Sequence, residues 1–164
     1  RHSIMIIDAL KESGEDSFSN LLKKITKSAT QKVKGVVVVN EGLVNYFNES
    51  MARDIWKNIA KPYKEMNVKG YYLSDTVINN SLGRSGEFFF VNVFKKLLGL
   101  FVRGGVYLHY TSTDDNEAAL IEEGFSLAKV RNANFWEEGL ADCKTKGALY
   151  VSIIFGGVNV KSLF

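Results

Sequence analysis

The sequence predicts a single α/β domain, residues 1–164, in which helices cover a mostly parallel β-sheet. Three observations carry that expectation. Short β-branched runs near residues 3–7, 35–40 and 68–75 alternate with segments whose apolar residues recur every three or four positions. The first two of these runs are apolar almost throughout instead of alternating, as strands covered on both faces are. The stretches between them are long enough for the helical crossovers that parallel pairing requires.

Taken in order, residues 3–7 read as an apolar strand ending at Asp8, followed by a polar, glycine-containing turn over 11–15. Asp16 or Ser17 caps a helix in which Phe18, Leu21, Leu22 and Ile25 share one face. Residues 35–40, Gly-Val-Val-Val-Val-Asn, suit a strand buried on both sides. Asn48 caps a helix over 49–66 with Met51, Ile55, Trp56, Ile59 and Tyr63 on its apolar stripe, and Pro62 is expected to kink it or end its regular part. Residues 68–75 form a third strand closing at Ser74-Asp75. Residues 79–86 read as a loop into a phenylalanine-rich helix over 87–102, and residues 106–110 as a short strand or extended link. Asp114-x-x-Glu117 has the pattern of a capping box opening a helix over 115–123, which Gly124 stops. Residues 125–130 and 148–155 supply the last strands.

Composition narrows the function. A chain of 164 residues that is 46% hydrophobic can build a full core without disulfides or structural metal. A net charge of +3 is too small to imply nucleic acid or an anionic membrane as partner, and Lys23, Lys24 and Lys27 read as a solvated helix face. With one cysteine, Cys143, and two histidines, His2 and His109, there is no ligand set at zinc-like spacing and no internal disulfide, so no metal and a reducing, cytoplasmic compartment are expected. No run reaches the roughly 20 apolar residues that span a bilayer.

In open α/β sheets ligands bind outside the carboxyl ends of the strands, which singles out Asp8, Asn40-Glu41 and Ser74-Asp75. Asp8 reads either as a ligand acceptor or as a loop cap. Glu41, directly after four valines, either binds a ligand or bonds to backbone amides of the following turn. Gly42 permits a positive φ or a close approach. His109, between Leu108 and Tyr110, reads as a packed residue more readily than as a base. Residues 83–86, Gly-Arg-Ser-Gly, lack the strand and spacing of a nucleotide fingerprint. Asp142 beside Cys143 argues against a nucleophilic thiol.

The run Val-Val-Val-Asn-Glu-Gly-Leu-Val-Asn-Tyr-Phe over 37–47, with the helix after it, resembles the strand and Glu-Gly-Leu-x-x-Tyr turn of the leucine carboxyl methyltransferase family, including members grouped with polyketide O-methyltransferases. Ile-Asp-Ala-Leu at 7–10, Gly-Tyr-Tyr-Leu-Ser-Asp at 70–75, and the region from 101–105 to 123–125 agree in order. The resemblance implies a class I methyltransferase-like (Rossmann-like) sandwich and transfer of a methyl group from S-adenosylmethionine to a carboxylate or hydroxyl of a small molecule or peptide C-terminus. It implies that Asp8 and Ala9 hold the adenine end of the cofactor. Glu41 and Gly42 would then lie beside its central part, and Tyr46 would shape the acceptor pocket as the catalytic position.

The family's first two strands, with their glycine-rich turn and ribose-binding acid, have no counterpart in this sequence. The chain is therefore expected to be the C-terminal portion of such a methyltransferase, with an apolar gap in its sheet. That gap would be filled by a missing N-terminal segment or in a homodimer. The alternative is a degenerate domain acting as a non-catalytic binding or assembly module.

Overall fold

The computed structural model describes residues 4–29, 32–77, 107, 109–132 and 151–162. The expected loop over 79–86, the phenylalanine-rich helix over 87–102 and Cys143 lie outside the described residues. The elements run α1 (Phe18–Ser28), β1 (Val36–Asn40), a 3-10 turn (Val44–Tyr46), α2 (Glu49–Glu65), β2 (Gly70–Val77), α3 (Thr113–Glu122), β3 (Leu127–Asn132) and β4 (Val151–Val158).

The strands form one sheet in the order β1-β2-β4-β3. The architecture is α/β as expected, but the sheet is mixed where a mostly parallel one was predicted. Only β1 and β2 are parallel; β4 runs antiparallel to both β2 and β3. An apolar run announces a buried strand without announcing its direction, which depends on how the chain returns to the sheet.

Helix starts follow the sequence closely. Ser17 Oγ accepts from the Asn20 amide at the head of α1, and Asn48 Oδ1 accepts from the Met51 amide at 2.9 Å at the head of α2. Pro62 sits inside α2, which continues to Glu65. At α3 the cap is Ser112, whose Oγ accepts from the Asp115 amide. The expected capping box is not formed. Glu117 instead accepts the Val130 amide at 2.8 Å and pairs with Lys129, fastening α3 to β3.

Register puts Val36, Val38 and Asn40 of β1 on the face that carries Gly70, Tyr72 and Ser74 of β2, Ile154, Gly156 and Val158 of β4, and Ala128 and Val130 of β3. Against this face α2 packs Trp56, Tyr63 and Ile59, and α1 adds Phe18 and Leu22. Burying side chains of this size contributes roughly 1.5–3 kcal/mol each, which makes α2 the main clamp on the sheet. The contact is close at Gly70, where a Cβ would stand 2.3 Å from the ring of fully buried Tyr63. Asn159 ties the far end of α2 to the segment leading into β2 by donating to the carbonyls of Tyr63 and Val68.

Two expectations near the N-terminus are corrected. Residues 4–8 form no strand, and Ile4 and Ile6 are 99% and 90% exposed. A strand exists only with a partner for its ladder, and none of the described strands flanks this segment. Nor is β1 covered on both faces: it is an edge strand among the described residues, with Val37 59% and Val39 57% exposed.

Candidate functional site

The carboxyl end of β1 enters a turn that the fold holds rigidly from below. Asn40 Nδ2 donates to the Tyr72 hydroxyl at 2.8 Å, Ser74 Oγ donates to Asn40 Oδ1 at 2.6 Å, and Trp56 Nε1 donates to the same hydroxyl at 3.2 Å. Strand β1, strand β2 and helix α2 thus meet at one phenol oxygen. Burial pushes the Tyr72 hydroxyl up against the opposing pull of these hydrogen bonds, so it stays protonated and serves as a neutral acceptor.

Above this network the chain turns at Glu41-Gly42. Gly42 has φ +64°, a left-handed conformation that glycine adopts at little cost. Its amide donates to Asp75 Oδ1 at 2.6 Å, a charge-assisted contact from the end of β2. Asp75 therefore does what Glu41 was offered as doing in the second of its two readings. Glu41 itself is exposed, and its carboxylate makes no hydrogen bond or ion pair among the described residues. A Cβ placed on Gly42 would meet nothing within 4 Å, so the turn opens onto free space.

Tyr46 ends the short turn Val44–Tyr46 and is exposed, four residues along the same connection. Tyr107 and His109 lie against this connection: the Tyr107 amide donates to the Asn45 carbonyl at 2.7 Å, and His109 Nε2 bonds the Phe47 carbonyl at 2.6 Å. Tyr107, His109 and Tyr110 belong to no strand, and the rest of the expected strand or link over 106–110 lies outside the described residues.

Asp8 and Ala9 occupy a separate loop. Asp8 Oδ1 accepts the Leu10 amide at 3.0 Å, closing a local turn, and the Asp8 amide bonds the Asp16 carbonyl. The cap reading of Asp8 is thus realised through one oxygen, leaving the other without a hydrogen bond among the described residues. The loop is fastened to α2 by Asn58, whose Nδ2 donates to the Ala9 carbonyl at 3.0 Å. Asn58 stands two residues beyond Trp56, so the Asp8-Ala9 loop and the Asn40-Glu41 turn are both anchored on the same stretch of α2.

Sequence reasoning passed over Asn58, whose signal is a polar residue interrupting the stripe between Trp56 and Ile59. Behind the loop lies a polar cleft of about 250 Å³ lined by Glu12, Ser19, Lys23, Asn58 and Lys61. Lys61 there already pairs with Glu12, so its charge is answered within the chain. Among the described residues no group of His, Cys, Asp and Glu side chains is arranged to hold a metal ion, and no helix is long and apolar enough to cross a membrane.

No protein-family model and no curated protein matches the chain. Among solved structures it is similar to a "putative O-methyltransferase" from Nostoc punctiforme PCC 73102. The TM-score is 0.45 at 10% identity, over 74% of this chain and 31% of that one. The chain thus spans about a third of that protein's length. That likeness is too slight to carry chemistry from one protein to the other.

Proposed function

We propose that this chain supplies part of the cofactor and acceptor site of an S-adenosylmethionine-dependent O-methyltransferase acting on a carboxylate or hydroxyl. The observation that carries the reading is the Glu41-Gly42 turn. It is held from beneath by Asp75, left open at Gly42, and bears a carboxylate that is unpaired among the described residues, at the carboxyl end of the parallel pair β1 and β2.

The residues fit the group. The Asp8 oxygen that makes no hydrogen bond among the described residues would accept from the adenine amino group, and the Ala9 amide, likewise without a hydrogen bond among them, would donate to a ring nitrogen. Glu41 places negative charge beside a cationic centre, and Gly42 lets the backbone come close to a ligand. A bound S-adenosylmethionine supplies an activated methyl group on a sulfonium, so the protein's share is positioning and exclusion of water. Tyr46 shapes the side from which a small-molecule or peptide acceptor approaches.

Calorimetric titration with S-adenosylhomocysteine tests the reading. Binding that weakens at least tenfold in both Asp8→Ala and Glu41→Ala supports it. Absence of binding by the folded protein, or binding indifferent to both substitutions, overturns it.

The exposed apolar side chains of β1 favour a second reading. Val37 and Val39 present β-branched side chains to solvent on β1, an edge strand among the described residues, and Ile4 and Ile6 are exposed in the N-terminal segment. An assembly module would use those side chains to join an N-terminal segment or a second copy, and its partner affinity would survive both substitutions.

A further inference from the structure

His109 is held in one tautomer against the turn that carries Tyr46. Its Nε2 lies 2.6 Å from the Phe47 carbonyl oxygen, and a carbonyl only accepts, so Nε2 carries the hydrogen. In the neutral ring the lone pair then resides on Nδ1, which makes no hydrogen bond among the described residues. The ring plane is fixed as well. Tyr107 stacks on it at 6.3 Å with an interplanar angle of 9°, and Tyr110 meets it edge-on at 6.0 Å. Tyr110 in turn stacks on Trp56, the α2 residue that donates to the Tyr72 hydroxyl. The imidazole is therefore locked to the same framework that holds the Glu41-Gly42 turn. On the same connection, the Asn45 side-chain oxygen is buried with no hydrogen-bond partner among the described residues.

A half-buried imidazole with one nitrogen tethered to a carbonyl and the other without a hydrogen bond among the described residues is the arrangement of a general base. Resting on the methyltransferase reading above, we infer that His109 takes the proton of a hydroxyl acceptor, which makes weakly acidic alcohols or phenols the substrate class in preference to carboxylates. As the acceptor oxygen bonds to the methyl carbon, its proton passes to Nδ1. The carbon–sulfur bond breaks and its electron pair stays on sulfur, turning the sulfonium into a neutral thioether. The imidazolium later releases the proton to water. A carboxylate, already ionised at neutral pH, needs no such base.

Two measurements test this. Long-range proton–nitrogen correlation spectra of the protein at a pH where His109 is neutral should show the Nε2–H tautomer; the Nδ1–H tautomer overturns the inference. In His109→Gln the side-chain amide can still donate to the Phe47 carbonyl but accepts no proton. Methyl transfer to a series of phenols should fall about 10²–10⁴-fold for the least acidic member, and the loss should shrink steadily as acceptor acidity rises. A loss independent of acceptor acidity, or no loss, overturns the role of His109 while leaving the methyltransferase reading intact. A protein that does not bind S-adenosylhomocysteine overturns both.

Discussion

Asp75 Oδ1 accepts the Gly42 amide hydrogen at 2.6 Å, joining the ends of two parallel strands across 33 residues of sequence. The bond fixes the conformation of the turn that bears Glu41. Asp75→Ala should lower stability by about 1.5–3 kcal/mol, the range for a hydrogen bond to a charged group. Asp75→Asn, which keeps an acceptor oxygen, should cost about half as much or less. Urea unfolding of the three proteins measures both, and equal stability of wild type and Asp75→Ala would remove Asp75 from the account.

The Tyr72 hydroxyl is the shared acceptor of Trp56 and Asn40. Tyr72→Phe leaves two donors without an acceptor in a buried place and should destabilise by about 1–3 kcal/mol. A double-mutant cycle with Asn40→Ala should show coupling between the two positions. Additive effects would mean that the network is not a unit.

Much of this was legible beforehand, and the boundary has a physical cause. Caps and stripes are local, so Ser17, Asn48 and the Ile55, Trp56, Ile59 face of α2 could be read from spacing alone. Pairing is not local. Nothing in residues 148–155 says that β4 runs antiparallel between β2 and β3, and nothing in residues 3–7 says that they find no strand to pair with. The site divides the same way. Glu41, Gly42 and Tyr46 share one short connection, so their proximity follows from the sequence alone, whereas Asp75 reads as a strand-end residue whose tie to Gly42 is invisible there. Ser112 displaced the expected cap because its hydroxyl lies three residues before Asp115, freeing Glu117 to hold β3.

Gly70→Ala should be costly despite the small change. The added methyl would sit 2.3 Å from a Tyr63 ring that is fully buried and also packs edge-on against Phe18. Overpacking of this kind costs about 1–3 kcal/mol. Trimming the ring with Tyr63→Leu should make the glycine substitution cheaper in the double variant than in the single one. Thermal or urea unfolding of the set checks this, and strictly additive losses would count against the contact.

Stability should fall on the alkaline side. Burial raises Tyr63, pushes Tyr110 up to about 12 and raises Tyr72, while in the unfolded chain all three ionise near 10. Between about pH 10 and 12 the unfolded chain therefore binds fewer protons than the folded one, so unfolding becomes easier as pH rises. Denaturant unfolding at pH 7, 9 and 10.5, followed beside tyrosinate absorbance, should show stability constant over the first interval and declining over the second. Ionisation of these tyrosines in the folded protein near pH 10 would contradict the burial argument.

The central claim is that one nucleoside-bearing ligand touches both the Asp8-Ala9 loop and the Glu41-Gly42 turn. Titration of the nitrogen-15-labelled protein with S-adenosylhomocysteine, followed at the Ala9 and Gly42 amides, measures this directly. Both signals should shift along a single saturation curve. Shifts at only one of them, at two different affinities, or at neither would contradict it.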